Sequence, residues 1–133
     1  ISNVLFFFFF KGICVIDLDT VMPGFFISDV GDMLRTYICP VSEEEKNLDK
    51  IFVRNEFIQA IQDGYFTEMK QCLSQFEQDH FLFSGEFLMY MQALRFLTDY
   101  LNNDIYYGKK YETHNLLRAQ NQVQLLKEFQ VNL

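Results

Sequence analysis

The sequence predicts an α+β fold, mainly α: a β-hairpin followed by about four helices, in a single domain over residues 1–133. Three observations carry that prediction. Apolar segments rich in aromatic and β-branched residues bracket a turn near the start. Apolar residues then recur at helical spacing through much of the remainder. The chain is also long enough, with half its residues hydrophobic and 22% charged, to bury a core of its own. No internal repeat or flexible linker divides it.

Two strands are expected at about residues 3–7 and 13–18, joined by a hairpin turn. Lys11-Gly12 supplies turn chemistry, but Phe6 to Phe10 are five consecutive phenylalanines, and a turn prefers Gly, Asn or Asp. An exposed apolar cluster of that kind invites aggregation. An artefact is therefore preferred over a membrane-inserting loop as its reading. A loop follows from Thr20 to Phe26, marked by Pro23-Gly24. Ser28 or Asp29 then caps a short helix to about Tyr37, closed off by Pro40.

Ser42-Glu43-Glu44-Glu45 reads as a capping box opening a long helix. Leu48, Ile51, Phe52, Asn55, Ile58 and Ile61 lie along one side of it, and Gly64 interrupts it. A third helix starts between Gln78 and Glu86 and runs to about Asn102. Its expected core stripe is Phe87, Tyr90, Met91, Leu94, Leu97 and Leu101. Asn102-Asn103-Asp104 breaks it. A last helix from about Glu112 to Phe129 turns Leu116, Val123, Leu126 and Phe129 inward.

A net charge of −7 argues against a nucleic-acid partner, because a phosphate backbone calls for clustered Lys and Arg. A nucleotide stays compatible, since a divalent metal screens phosphates locally. Cys14, Cys39 and Cys72 form no CxxC pair, which argues against a disulfide framework or structural zinc and for reduced thiols in a cytosolic protein. No apolar run reaches the ~18–20 residues of a membrane span, so no membrane partner is expected.

The chemistry concentrates between Asn3 and Arg35. Val15-Ile16-Asp17-Leu18-Asp19 ends an apolar strand in two carboxylates, and strand alternation sets Asp17 and Asp19 on one face. Such a pair suits a hard cation such as Mg²⁺. The alternative is that both carboxylates cap the following loop. Arg35 can pair with Asp32 at i+3. Arg95 and Asp99 are an ion pair at i, i+4, or Arg95 binds a ligand. Tyr106, Tyr107 and Tyr111 pack together or line a cleft. His114 and Arg118 read as structural.

Asn3, the Ile16-Asp17 pair, a glycine and then Asp29 resemble the second half of the active-site signature of the aminoglycoside phosphotransferase (kinase-like) superfamily. The longer string from Cys14 to Gly24, with Asp29-Val30-Gly31-Asp32, looks like its N-acetylhexosamine 1-kinase branch. So do Leu94 to Leu101, Asp104 to Tyr107 and His114 to Ala119. The resemblance covers nearly all of the chain from Lys11 onward; the phenylalanine run departs from it.

The resemblance implies the C-terminal lobe of a protein-kinase-like fold, with ATP and Mg²⁺ as cofactors and a sugar as substrate. Asn3 and Asp17 would hold the metal on the phosphates. Asp19 and Arg95 would face the substrate, while Asp29 and Asp32 would support the catalytic loop. It implies no catalytic base in this chain. The His-x-Asp that carries the base, and the nucleotide-binding lobe, are expected upstream of Ile1, so the 133 residues alone are expected to be inactive. The alternatives are a non-catalytic helical interaction domain, or a protein labelled a desulfatase in mucin or glycan metabolism without sulfatase chemistry. Cys39-Pro40-Val41 does not fit the Cys/Ser-x-Pro-x-Arg setting of a sulfatase.

Overall fold

The computed structural model describes residues 3–7, 11–19 and 21–132. It is α+β and mainly helical: a two-stranded antiparallel hairpin, β1 (Val4–Phe7) with β2 (Lys11–Val15), precedes five α-helices. These are α1 (Phe26–Tyr37), α2 (Asn55–Met69), α3 (Gln75–Asp79), α4 (Phe81–Leu101) and α5 (His114–Val131). Among the described residues no helix is long and apolar enough to cross a membrane.

The hairpin pairs Val4 with Val15 and Phe7 with Lys11, and the register shifts between Leu5 and Phe6. Lys11-Gly12 thus belongs to β2 rather than to the turn. The turn itself, with Phe8 to Phe10, lies outside the described residues. Strand β2 ends at Val15, short of the expected residue 18. Asp17 has a φ of 62°, a left-handed backbone that an extended strand cannot hold. The alternation argument for Asp17 and Asp19 therefore fails.

Helix α4 lies between α1 and α5 and is the centre of the core. Val30, Leu34 and Ile38 of the α1 segment meet Phe81 and Met89 of α4 and Leu125 and Phe129 of α5. Small residues permit the close crossing: a Cβ on Gly31 would stand 2.3 Å from the carbonyl oxygen of Ser84.

Several local expectations are overturned. Helix α1 begins at Phe26 with no side-chain cap, so Ser28 and Asp29 sit inside its first turn. Ser42 opens no helix. Residues 42–54 form an irregular strap with one 3-10 turn at Leu48–Lys50, capped by Asn47. Arg54 anchors the strap by donating to the carbonyls of Tyr37 at 2.8 Å and Cys39 at 3.2 Å. Gly64 does not interrupt α2; an interior glycine costs only about 1 kcal/mol relative to alanine, too little to end a helix. The capping box that does form is Ser74 with Glu77, at the start of α3.

The face of α4 is the largest correction. The expected stripe from Phe87 to Leu101 is exposed, and the buried face is Phe81, Ser84, Gly85, Met89, Ala93, Phe96 and Asp99. The helix is apolar on more than one side, and the face with glycine, serine and alanine lets the neighbouring backbones approach. On α5, Phe129 is buried as expected but Val123 is exposed. Much of its inner face is polar: His114, Asn115, Asn121 and Gln122.

Candidate functional site

Asn3 and Asp17 are brought together by the hairpin. The amide of Ile16 donates to the carbonyl of Asn3 at 2.9 Å, extending the ladder one step past Val4. The left-handed backbone at Asp17 then turns its carboxylate back, and Asn3 Nδ2 donates to Asp17 Oδ2 at 3.2 Å. Asp and Asn tolerate this backbone better than most residues. Both side chains are exposed. A carboxylate and an amide are hard oxygen ligands, so the pair fits Mg²⁺ in kind. Among the described residues no three His, Cys, Asp or Glu side chains gather in metal-binding geometry. Two such ligands by themselves supply only part of the octahedral shell that Mg²⁺ requires.

Asp19 is exposed beside a turn in which the amide of Val21 donates to the carbonyl of Leu18 at 3.1 Å. Asp29 is exposed in the first turn of α1, where the helix dipole favours a carboxylate. Its charge, after burial, adds to raising the hydroxyl pKa of Tyr65. Asp32 accepts from Arg35 Nε at 3.0 Å and Nη2 at 2.8 Å. Arg35 also donates to Glu43 of the strap at 2.9 Å, and Glu43 in turn receives Arg118 of α5. Asp32 thus positions Arg35, and Arg35 ties α1 to the strap.

Arg95 lies elsewhere, in an open cleft of about 510 Å³ formed by the C-terminal half of α4 and the loop after it. Its guanidinium is 5.8 Å from the ring centroid of Tyr106 and 5.5 Å from that of Tyr107. The i, i+4 ion pair with Asp99 does not form. Asp99 is on the buried face and accepts from the backbone amides of Tyr106 and Tyr107, at 2.8 and 3.0 Å, and from Asn115 Nδ2 at 3.1 Å. The cleft therefore has a cationic wall, an aromatic wall and a floor held by Asp99.

Asn115 is the residue that sequence reasoning missed. Fully buried at the start of α5, it donates to Asp99, to Asp104 at 3.0 Å and to the carbonyl of Gly108 at 2.9 Å, which sets the course of the 102–113 loop. A turn signal at Asn102-Asn103-Asp104 was visible, but nothing local marks Asn115 as its anchor. Glu44 was also missed: it takes Lys110 Nζ at 2.6 and 2.8 Å, and that hydrogen bond lowers its pKa. A search against protein-family models finds no match to the sequence.

Proposed function

We propose that the chain is the C-terminal lobe of a kinase-like phosphotransferase that moves the γ-phosphoryl group of ATP to a sugar hydroxyl, in the manner of an N-acetylhexosamine or related hexose 1-kinase. The observation that carries this reading is the 3.2 Å approach of Asn3 to Asp17, two residues 14 apart that the motif resemblance assigns to one metal. Bound Mg²⁺ would neutralise charge on the transferring phosphates. Asp17 and Asn3 would hold it from the end of the hairpin. Arg95 and Asp19 would face the substrate, Arg95 from the α4 cleft with Tyr106 as an apolar wall for a sugar ring. Asp29 and Asp32 would brace the segment that carries the base. In this reading the base is an Asp in a His-x-Asp, a motif these 133 residues do not contain, so the 133 residues alone should not turn over. A cytoplasmic location follows from the need for ATP and reduced thiols. Neither a nucleic acid nor a membrane is a partner in this reading.

The test is a sugar screen with ATP and Mg²⁺ on a longer form of the protein that carries the His-x-Asp, reading ADP release. At least one hexose or N-acetylhexosamine should be turned over, and Asp17→Ala should abolish turnover while leaving the circular dichroism spectrum unchanged. Normal rates for that variant at saturating Mg²⁺ would refute the metal role. Turnover by the 133 residues alone would refute the assignment of the base. A second reading, a non-catalytic helical interaction domain, draws support from the uncovered apolar face of α4. It predicts no turnover with any sugar.

A further inference from the structure

The exposed residues of α4 follow a stricter rule than amphipathicity. Phe83, Phe87, Tyr90, Leu94, Leu97 and Leu101 are spaced 4, 3, 4, 3 and 4 apart, and each is at least 37% exposed. That is the a/d seam of a coiled coil, with Phe87, Leu94 and Leu101 at a and Phe83, Tyr90 and Leu97 at d. The opposite side of the helix already faces α1 and α5. The helix is thus apolar on two opposite sides, and only one of them is covered; an apolar helix face is normally buried.

We propose that this seam is an interface between two copies of the chain, with their α4 helices packed antiparallel about a two-fold axis near residue 92. The composition of the seam selects the partner. The aromatic d residues and Phe87 lie toward the N-terminal end, and the leucines toward the C-terminal end. Antiparallel pairing of a with d then sets Phe83 against Leu101, Phe87 against Leu97 and Tyr90 against Leu94, each pair occurring twice by symmetry. Every layer joins a large ring to a smaller branched chain, which is how facing positions interdigitate. A parallel pair would instead set Phe against Phe and Tyr against Tyr. Met91, a deformable side chain, meets its own copy beside the axis; with Leu94 it also lines the cleft that holds Arg95, so the pairing would form one wall of that cleft. Glu86, the one acid flanking the seam, falls near Tyr100 rather than another acid, so no like charges oppose each other.

The area is sufficient. With about 150–250 Å² for each fully exposed side chain, the uncovered fractions, Met91 included, amount to about 500–800 Å² per copy and about 1,000–1,600 Å² for the pair when fully covered, overlapping the range of stable interfaces. The contact is isologous and therefore closes at two copies.

Sedimentation of the 133-residue chain tests this directly. The expected result is a concentration-dependent species of twice the 15.9 kDa chain mass, which Phe87→Glu converts to a monomer with an unchanged circular dichroism spectrum. Cysteine pairing tests the direction. With Cys14 and Cys72 replaced by serine, Tyr90→Cys together with Leu94→Cys should yield an inter-chain disulfide on mild oxidation, and Tyr90→Cys alone should not. A monomer at about 100 μM, well above the micromolar Kd at the weak end for interfaces of this class, would overturn the proposal. Cross-linking by Tyr90→Cys alone would overturn the antiparallel arrangement. A dimer indifferent to Phe87→Glu would overturn the role of α4.

Discussion

Asn115 illustrates how one buried side chain organises a stretch of chain. Its amide nitrogen reaches two carboxylates and a carbonyl, while its Oδ1 accepts from Arg118 at 3.0 Å. Arg118 also lies over the ring of Phe96, 3.7 Å from its centroid, and extends to Glu43. Asp99 and Asp104 would each lose a donor on loss of the amide, and burial leaves no water to replace it. Asn115→Leu, with the same branching and number of side-chain heavy atoms, should therefore cost about 2–4 kcal/mol in a urea titration, where a solvent-exposed asparagine would cost almost nothing. The 102–113 loop should loosen at the same time, exposing its amides to faster hydrogen exchange. At the same scale, the Asn3–Asp17 pairing was legible in advance, because its two members belong to one hairpin. The partners of Asn115 were not, because a polar residue gives no sign in its own neighbourhood that it is to be buried.

At the scale of elements, two identical signals had different outcomes. Ser42 and Ser74 are each followed three residues later by glutamate, yet only Ser74 caps a helix. At Ser74 the carboxylate of Glu77 accepts from both the amide and the hydroxyl of the serine, at 2.8 and 2.7 Å. At Ser42 the carboxylate of Glu45 accepts instead from the amide of Asn47 at 2.9 Å, while Glu43 and Glu44 are drawn to Arg35, Arg118 and Lys110. Those distant cations outweigh a capping preference of about 1 kcal/mol. The glycines divide in the same way. Gly31→Ala would drive a methyl group into the Ser84 carbonyl and the Leu88 side chain at 2.7 Å, forcing α1 off α4, and should cost about 2–3 kcal/mol. Gly64→Ala meets nothing within 4 Å on an exposed part of α2 and should stabilise by about 0.5–1 kcal/mol. Thermal denaturation of the two variants should move in opposite directions.

Across the whole molecule, three carboxylates tie the surface together and make its stability depend on pH. The hydrogen bond from Lys110 lowers Glu44, the amide of Asn47 lowers Glu45, and the hydroxyl and amide of Ser74 lower Glu77, all from an ordinary value of 4.5. A carboxylate lowered in the folded state contributes stability that is fully present above its unfolded value and is lost as pH falls through its folded value. The urea midpoint should therefore hold level from neutrality to about pH 5 and decline below it. Lys110→Ala should lower the plateau slightly and flatten the decline, since it removes the main cause acting on Glu44. A midpoint that rises on acidification would contradict these contacts.

What the sequence alone determined was local: a hairpin followed by helices, the span of α4, and the strand pairing that sets Asn3 beside Asp17. Hydrophobic period and turn chemistry act over a few residues, so they can be read without knowing what lies opposite. Tertiary structure alone decided which side of α4 is covered, that residues 42–54 form a strap, and that α5 presents polar side chains to the interior. Those outcomes rest on partners remote in sequence, 66 residues apart for Glu44 and Lys110, 75 for Glu43 and Arg118 and 79 for Ser42 and Asn121. An apolar pattern states that a face will be buried, but only the shape of the neighbouring helices determines which of two such faces they cover first.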